Sequence, residues 1–225
     1  MPRPVELPSE EELQGKRFEG AGTSPNIYIH RGKFIKQAYE RGTPDVEEKV
    51  SKAMMATKTP GAIKTVAVKW PEGKKEFAIS DHIKGGVPLA EYTGKLPDNA
   101  GDILLSEQLM GVRDRHGDNY MVSPKGVHSI DHEYAFGDPD RDSIPSELYR
   151  HLQSHGQEPR ASEEHLNRWE RYADEYRKMM EDNPQHLEHF NRKLQMARQL
   201  VDRYGYVPIK HLLSTRHRVV LHGQV

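Results

Sequence analysis

The stretch Gly111 to Gly137, GVRDRHGDNYMVSPKGVHSIDHEYAFG, constrains the fold most. It holds Asp114, then Asn119 five residues later, then Asp131 twelve residues after that. Between Asn119 and Asp131 lie two short apolar runs, Tyr120-Met121-Val122 and Gly126-Val127. Ser123-Pro124-Lys125-Gly126 separates them and reads as a turn, because Pro fixes φ and Gly tolerates positive φ. The pattern predicts a β-hairpin with Asn119 at its start and Asp131 at its end. Antiparallel pairing brings those two ends together.

Two oxygen-bearing side chains converging on one point suit Mg²⁺, a hard cation held by one or two protein carboxylates plus phosphate oxygens and water. In protein kinases an Asn and an Asp hold the metal, and a catalytic Asp precedes the Asn by five residues. Asp114-Arg115-His116, Asn119 and Ile130-Asp131 together resemble the phosphatidylinositol 3- and 4-kinase branch of the kinase superfamily, whose loop reads DRHxxN and whose metal motif reads IDFG. Actin-fragmin kinase and small bacterial effector kinases share this branch. The resemblance spans about Gly20 to Gly137 and is strongest from Asp114 to Asp131. It implies a minimal two-lobed α+β kinase-like fold, with a small antiparallel N-terminal sheet and a mostly helical second lobe. It also implies ATP and Mg²⁺ as cofactors, Asn119 and Asp131 as metal ligands, and Asp114 as the catalytic carboxylate. His132-Glu133 stand where the family has Phe-Gly, and the loop to Ile144 is short. That departure predicts a permanently formed site rather than a switchable segment.

Composition bounds the rest. The 225 residues suit one domain, or one two-lobed domain. Basic and acidic residues number 33 and 34, so charge gives no ground for a nucleic-acid partner or for stable membrane association. Absence of Cys excludes disulfides and thiolate zinc sites. No apolar run reaches the roughly 18 residues of a membrane span, and the N-terminal MPRPVELPSEEELQ lacks the apolar centre of a secretory signal. A cytoplasmic protein, or one delivered into a host cell, is the expectation.

Met1 to Gly15 reads as an arm. Residues 16–84 are the expected first lobe and 85–225 the second. Arg17 to Tyr39 predicts strands around a small-residue turn, where Gly20 and Gly22 would let backbone N–H groups approach phosphate. Arg31-Gly32 is a tight turn into Lys33–Gln37, and Lys36 is the expected cation on the α/β-phosphates. Thr43-Pro44 opens a helix with Thr43 as cap. Val46, Val50, Ala53, Met54 and Thr57 mark its apolar face, and Glu47 is the expected partner of Lys36. Lys64–Trp70 and Glu76–Ile83 read as strands, with backbone groups near Asp81 and Ile83 facing an adenine. Lys84 to Pro88 is the hinge, Leu89 to Tyr92 a short helix, and ILLSEQLM a buried helix.

Gln157 to Ala161 reads as a linker. Ser162 and Asn183-Pro184 each open a long helix, with apolar stripes of Leu166, Trp169, Ala173, Tyr176 and Met180 and of Leu187, Phe190, Leu194, Ala197, Val201 and Tyr204. Val207 to Leu213 reads as a short helix and Arg218 to Leu221 as a terminal strand. His116 is expected either to support the Asp114 loop or to meet the γ-phosphate, and Arg115 to pair with a core carboxylate. The expected activity is ATP- and Mg²⁺-dependent phosphoryl transfer to a protein or peptide Ser/Thr. A nucleotide-binding pseudokinase, transfer of AMP, and a lipid or small-molecule kinase are the alternatives, with a scaffold resting on the helix pair behind them.

Overall fold

The computed structural model describes residues 27–38, 42–69, 75–137 and 146–213. The expected arm, the strand from Arg17, Gly20, Gly22 and the terminal strand Arg218 to Leu221 lie outside the described residues. The architecture is α+β, with a small antiparallel sheet first and helices after it.

Strands β1 (Ile27–His30), β2 (Lys33–Gln37), β3 (Thr65–Lys69) and β4 (Glu76–Asp81) form one sheet in the order β1-β2-β4-β3. Arg31 and Gly32 both have positive φ, at 48° and 75°. That pair makes the two-residue hairpin turn whose twist matches its strands. Ile35, Phe77 and Ile79 bury one face of the sheet, with Tyr28 and Val68 packed against them. Side chains alternate, so Lys36 and its cross-strand partner Ala78 occupy the opposite face.

Helix α1 (Thr43–Ala56) lies on that opposite face and buries Glu47, Val50, Ala53 and Met54. The expected cap at Thr43 is corrected: Gly42 caps the helix, at φ 87°, and Thr43 is already helical. Gly42 N–H donates to Glu76 Oε2 at 2.6 Å, which fixes a left-handed backbone that glycine adopts without strain. Thr57 is buried just past the helix end, where its hydroxyl donates to Ala53 O at 2.9 Å. A buried hydroxyl chain then runs from Thr57 to Thr59 (3.0 Å) and on to Ser106 (2.9 Å). Ser106 also meets His165 Nε2 at 2.8 Å and accepts from Trp169 Nε1 at 3.0 Å. This chain ties the end of α1 to the helical core.

The connection from β4 passes His82 to Gly86 into β5 (Val87–Pro88) and a single 3₁₀ turn, Leu89–Glu91. Helix α2 (Ala100–Met110) follows and is buried almost throughout, including Asp102, Ser106 and Glu107. The expected hairpin is present as β6 (Tyr120–Ser123) and β7 (Gly126–Ser129), with β5 on the outer side of β6. After α3 (Glu147–Ser154) the expected linker is replaced by β8 (Arg160–Ser162). It pairs with β9 (Tyr206–Pro208), which shortens the predicted last helix to α6 (Ile209–Leu213). Gly101 lets α2 approach β8, since a Cβ there would meet Arg160 O at 1.8 Å.

Helices α4 (Glu163–Met179) and α5 (Pro184–Tyr204) form the expected pair. Ser162 and Asn183 cap them, accepting from His165 N and His186 N at 3.1 Å each. Trp169, Tyr176 and Phe190 meet at the centre, with ring centroids 4.4–6.0 Å apart. Tyr204 departs from its stripe: it is 40 % exposed and stacks on His211. Among the described residues no helix is long and apolar enough to cross a membrane.

Two buried histidines make the helical core sensitive to acid. Burial pushes His165 down to about 3 and His186 down to about 4, from about 6.5 unfolded. Below pH 6.5 the unfolded chain therefore binds more protons than the folded one, and stability falls as pH falls. Each histidine is expected to cost roughly 2 kcal/mol by pH 5. Glu47, raised by burial to about 7, works in the opposite direction between pH 4.5 and 7. Urea midpoints of wild type and His186→Gln between pH 7 and 4.5 test this. The variant should show the shallower loss, by about 1.4 kcal/mol per pH unit, and parallel curves would exclude it.

Candidate active site

Arg115 joins the two ends of the hairpin. Its guanidinium is buried, and it donates through Nη2 to Asn119 O at 3.0 Å. Through Nη1 it donates to Ile130 O at 2.9 Å and Asp131 O at 3.0 Å. Ile130 N–H adds a bond to Asn119 O at 3.0 Å, one step beyond the last β6–β7 pair. The main chains carrying Asn119 and Asp131 are thus clamped by one planar cation, a geometry suited to the rigid donors of Arg.

The countercharge is Glu107 of α2, the core carboxylate expected for Arg115. Its Oε1 accepts from Arg115 Nε at 3.1 Å and Ser129 Oγ at 2.7 Å, and its Oε2 accepts from Tyr120 Oη at 2.7 Å. Arg115 also stacks over the Tyr120 ring, 4.5 Å from its centre. The Ser129 hydroxyl has one proton, given to Glu107, so His132 Nε2–H must donate to Ser129 Oγ at 2.7 Å. His132 is held well below its ordinary pKa, first by burial and then by the charges of Arg115 and Lys36. It is neutral.

Above this platform sits Lys36. Its Nζ lies 2.6 Å from Asp131 Oδ1, 2.9 Å from Glu133 Oε2 and 3.5 Å from Glu47 Oε1. Burial works to lower its pKa, but Glu47, Asp131 and the hydrogen bonds to Asp131 and Glu133 outweigh that, so Lys36 is held charged above its ordinary value. Glu47 is raised to about 7, first by burial and then by Asp131 and Glu133, with Lys36 opposing. Oxygens of Glu47, Asp131 and Glu133 lie within 4.8 Å of one another. These are hard donors of the kind Mg²⁺ takes. Asn119 gives its side-chain Nδ2–H to Asp114 O, which leaves its amide oxygen as the atom able to meet a cation.

Asp114 and His116 are both exposed. Asp114 has φ 52° and Asp131 φ 57°, backbone conformations that cost L-residues energy and cluster at functional sites. The Asp114 carboxylate is 61 % exposed and lies 4.0 Å from His116 Nε2; His116 Nδ1 lies 3.8 Å from Asp118. His116 does not pack beneath the loop; Arg115 does that, because a buried carboxylate needs a permanent cation.

Asp81 ends β4, three residue pairs along the ladder from Lys36, and Ile83 follows two residues beyond the strand. The Asp81 carboxylate pairs with Lys33 on the surface. His82 N–H donates to Gly32 O at 3.1 Å and Ile83 O accepts from Gly86 N–H at 3.3 Å.

The structure therefore brings together Lys36, Glu47 and Asp131, and binds Asn119 to Asp131 through Arg115. Sequence reasoning missed Glu133, Glu107 as the particular partner, and the Ser129–His132 contact. For Glu133 a faint signal existed, an acidic residue two positions past Asp131.

No family model matches the chain, and no curated protein matches it. Among solved structures the chain is similar to a proinflammatory kinase of Helicobacter pylori, CtkA, at 10 % identity and a TM-score of 0.41, over 85 % of this chain and 91 % of that one.

Removing one partner of a buried ion pair strands the other. Arg115→Met leaves Glu107 buried beside two hydroxyls, and is expected to cost 3–5 kcal/mol or roughly that, read as the denaturant midpoint. A loss under about 1 kcal/mol, the worth of an exposed pair, would show that the clamp is not needed.

Proposed function

We propose that the chain is an ATP- and Mg²⁺-dependent phosphotransferase whose acceptor is a hydroxyl, most simply a Ser or Thr of a protein or peptide. The contact that carries this reading is Lys36 Nζ on Asp131 at 2.6 Å, with Asn119 held beside Asp131. Phosphoryl transfer needs positioning and charge neutralisation more than covalent help. A buried, permanently charged lysine beside clustered oxygen ligands supplies both.

Lys36 takes the α/β-phosphates, backed by Glu47 and Glu133. Asp131 and the Asn119 amide oxygen would hold a Mg²⁺ ion, which would supply charge neutralisation to the phosphates. Asp114, whose carboxylate is exposed, orients the acceptor hydroxyl and takes its proton. The bond from the bridging oxygen to the γ-phosphorus breaks, a bond from the acceptor oxygen forms, and ADP leaves. His116, 4.0 Å from Asp114, borders the γ-phosphate. Strand alternation also fits a nucleotide. With His82 N–H turned to β2, the Asp81 carbonyl and Ile83 N–H face the other edge, beyond the start of β3 at Thr65. Those two groups are the proposed adenine contacts. Gly20 and Gly22, outside the described residues, are proposed as phosphate contacts, and residues 16–84 and 85–225 as the two lobes.

The test is γ-labelled ATP with Mg²⁺, with the protein alone and with a cell lysate. Wild type should place label on protein, and Asp131→Ala should lose it by about 100-fold or more. Equal labelling by both would overturn the assignment. A thermal shift with Mg-ATP and no transferred label would favour a nucleotide-binding module, and label from the α- but not the γ-phosphate would indicate adenylylation.

A further inference from the structure

We propose that Glu133, rather than Glu47 of α1, is the principal anchor of Lys36. This role rests on the phosphotransfer reading above and names the residue that positions its lysine. Lys36 has three carboxylates around one ammonium, and they are not equivalent. Glu133 accepts at 2.9 Å, within the range of a charge-assisted hydrogen bond. Glu47 stands at 3.5 Å, at the outer limit of any hydrogen bond. Asp131 is closest at 2.6 Å, but it is the carboxylate a divalent cation would claim.

A cation held by Asp131 would compete with Lys36 for that carboxylate. Lys36 must then hold its place through what remains. The remaining hydrogen bond of good length is to Glu133.

The position of Glu133 is fixed from below. His132, between Asp131 and Glu133, is buried and donates to Ser129, which is itself bonded to Glu107 and Arg115. Asp131 turns the chain at φ 57°, and the carboxylates on either side of His132, Asp131 and Glu133, reach the same ammonium. The metal-claiming carboxylate and the lysine anchor thus belong to one short segment pinned to the buried platform. Helix α1 supports Lys36 through the charge of Glu47 rather than through a short hydrogen bond.

Full-length Glu133→Gln, Glu47→Gln, Lys36→Met and the two double variants with Lys36→Met test this. With Mg-ATP, Glu133→Gln should lower kcat/KM for ATP by about 10- to 100-fold, as the loss of an orienting partner does, and Glu47→Gln by less. Any nucleotide affinity left in Lys36→Met should be unchanged by adding Glu133→Gln, since Glu133 acts through Lys36; a merely structural role would lower it further. Without nucleotide, the unfolding cycle should show stronger coupling of Lys36 to Glu133 than to Glu47. A larger loss from Glu47→Gln, or additive losses for Glu133→Gln and Lys36→Met, would overturn the assignment. A wild type that neither binds nor turns over ATP would remove the phosphotransfer reading, and the nucleotide-free cycle would still decide which carboxylate holds Lys36.

Discussion

One buried guanidinium holds the candidate site together. Arg115 touches the main chain of Asn119 and Asp131 at once, and its countercharge comes from α2, at the centre of the helical core. Desolvating an Arg and a Glu is expensive, and the attraction between them repays it only when the remaining donors and acceptors are filled. Here they are: the carboxylate takes Arg115, Tyr120 and Ser129, and the fork of Arg115 takes three main-chain carbonyls and one hydroxyl. A hydrophobic pair in the same space would pack as well but would not fix where the hairpin ends lie. The ion pair is better understood as geometry than as stability.

That platform explains why a lysine on the sheet and carboxylates on the hairpin segment can meet. Lys36 lies on the face opposite Ile35, Phe77 and Ile79, and crosses to Asp131 and Glu133, which are 95 and 97 residues away in sequence. Three carboxylates around one ammonium leave negative charge uncompensated in a low-dielectric site. Glu47 shows the strain of it, raised to about 7 by burial and by its acidic neighbours. The proton that Glu47 binds more readily offsets part of that excess within the cluster itself.

The parts of this arrangement legible in the sequence are those encoded locally. Asp114, Asn119 and Asp131 are positioned by one loop and one hairpin, and Pro124 with Gly126 announce the turn between them. The caps at Ser162 and Asn183 and the stripes around Trp169 and Phe190 follow from helical period. What was not legible depends on distant partners. Strands β8 and β9 have three residues each and gain their identity only by pairing Ala161 with Val207. Thr43 has the right chemistry for a cap, yet Glu76 captures the Gly42 N–H and moves the helix start by one residue. His116 has the chemistry for a buried support, but Glu107 is charged and selects the permanent cation beside it. Glu133 carries only the faint signal of its spacing from Asp131, because its neighbour Lys36 lies 97 residues away on β2.

The backbone strain at Asp114 and Asp131 follows the same logic. Positive φ at a non-glycine residue costs of order 1 kcal/mol or more and persists only where the surroundings over-determine it. At Asp131 the surroundings are Arg115 on its carbonyl and His132 locked to Ser129 one residue later. At Asp114 they are the Asn119 amide on its carbonyl and Arg115 fixed in the platform next door. Each strained aspartate is thus held by a main-chain contact, which leaves its carboxylate to solvent or to Lys36. Glycine at either position would relax the backbone and remove the carboxylate together. Arg31, Lys58 and Phe136 also have positive φ, so strain alone marks no site; at Asp114 and Asp131 it is the cost of placing an acidic side chain where the fold favours none.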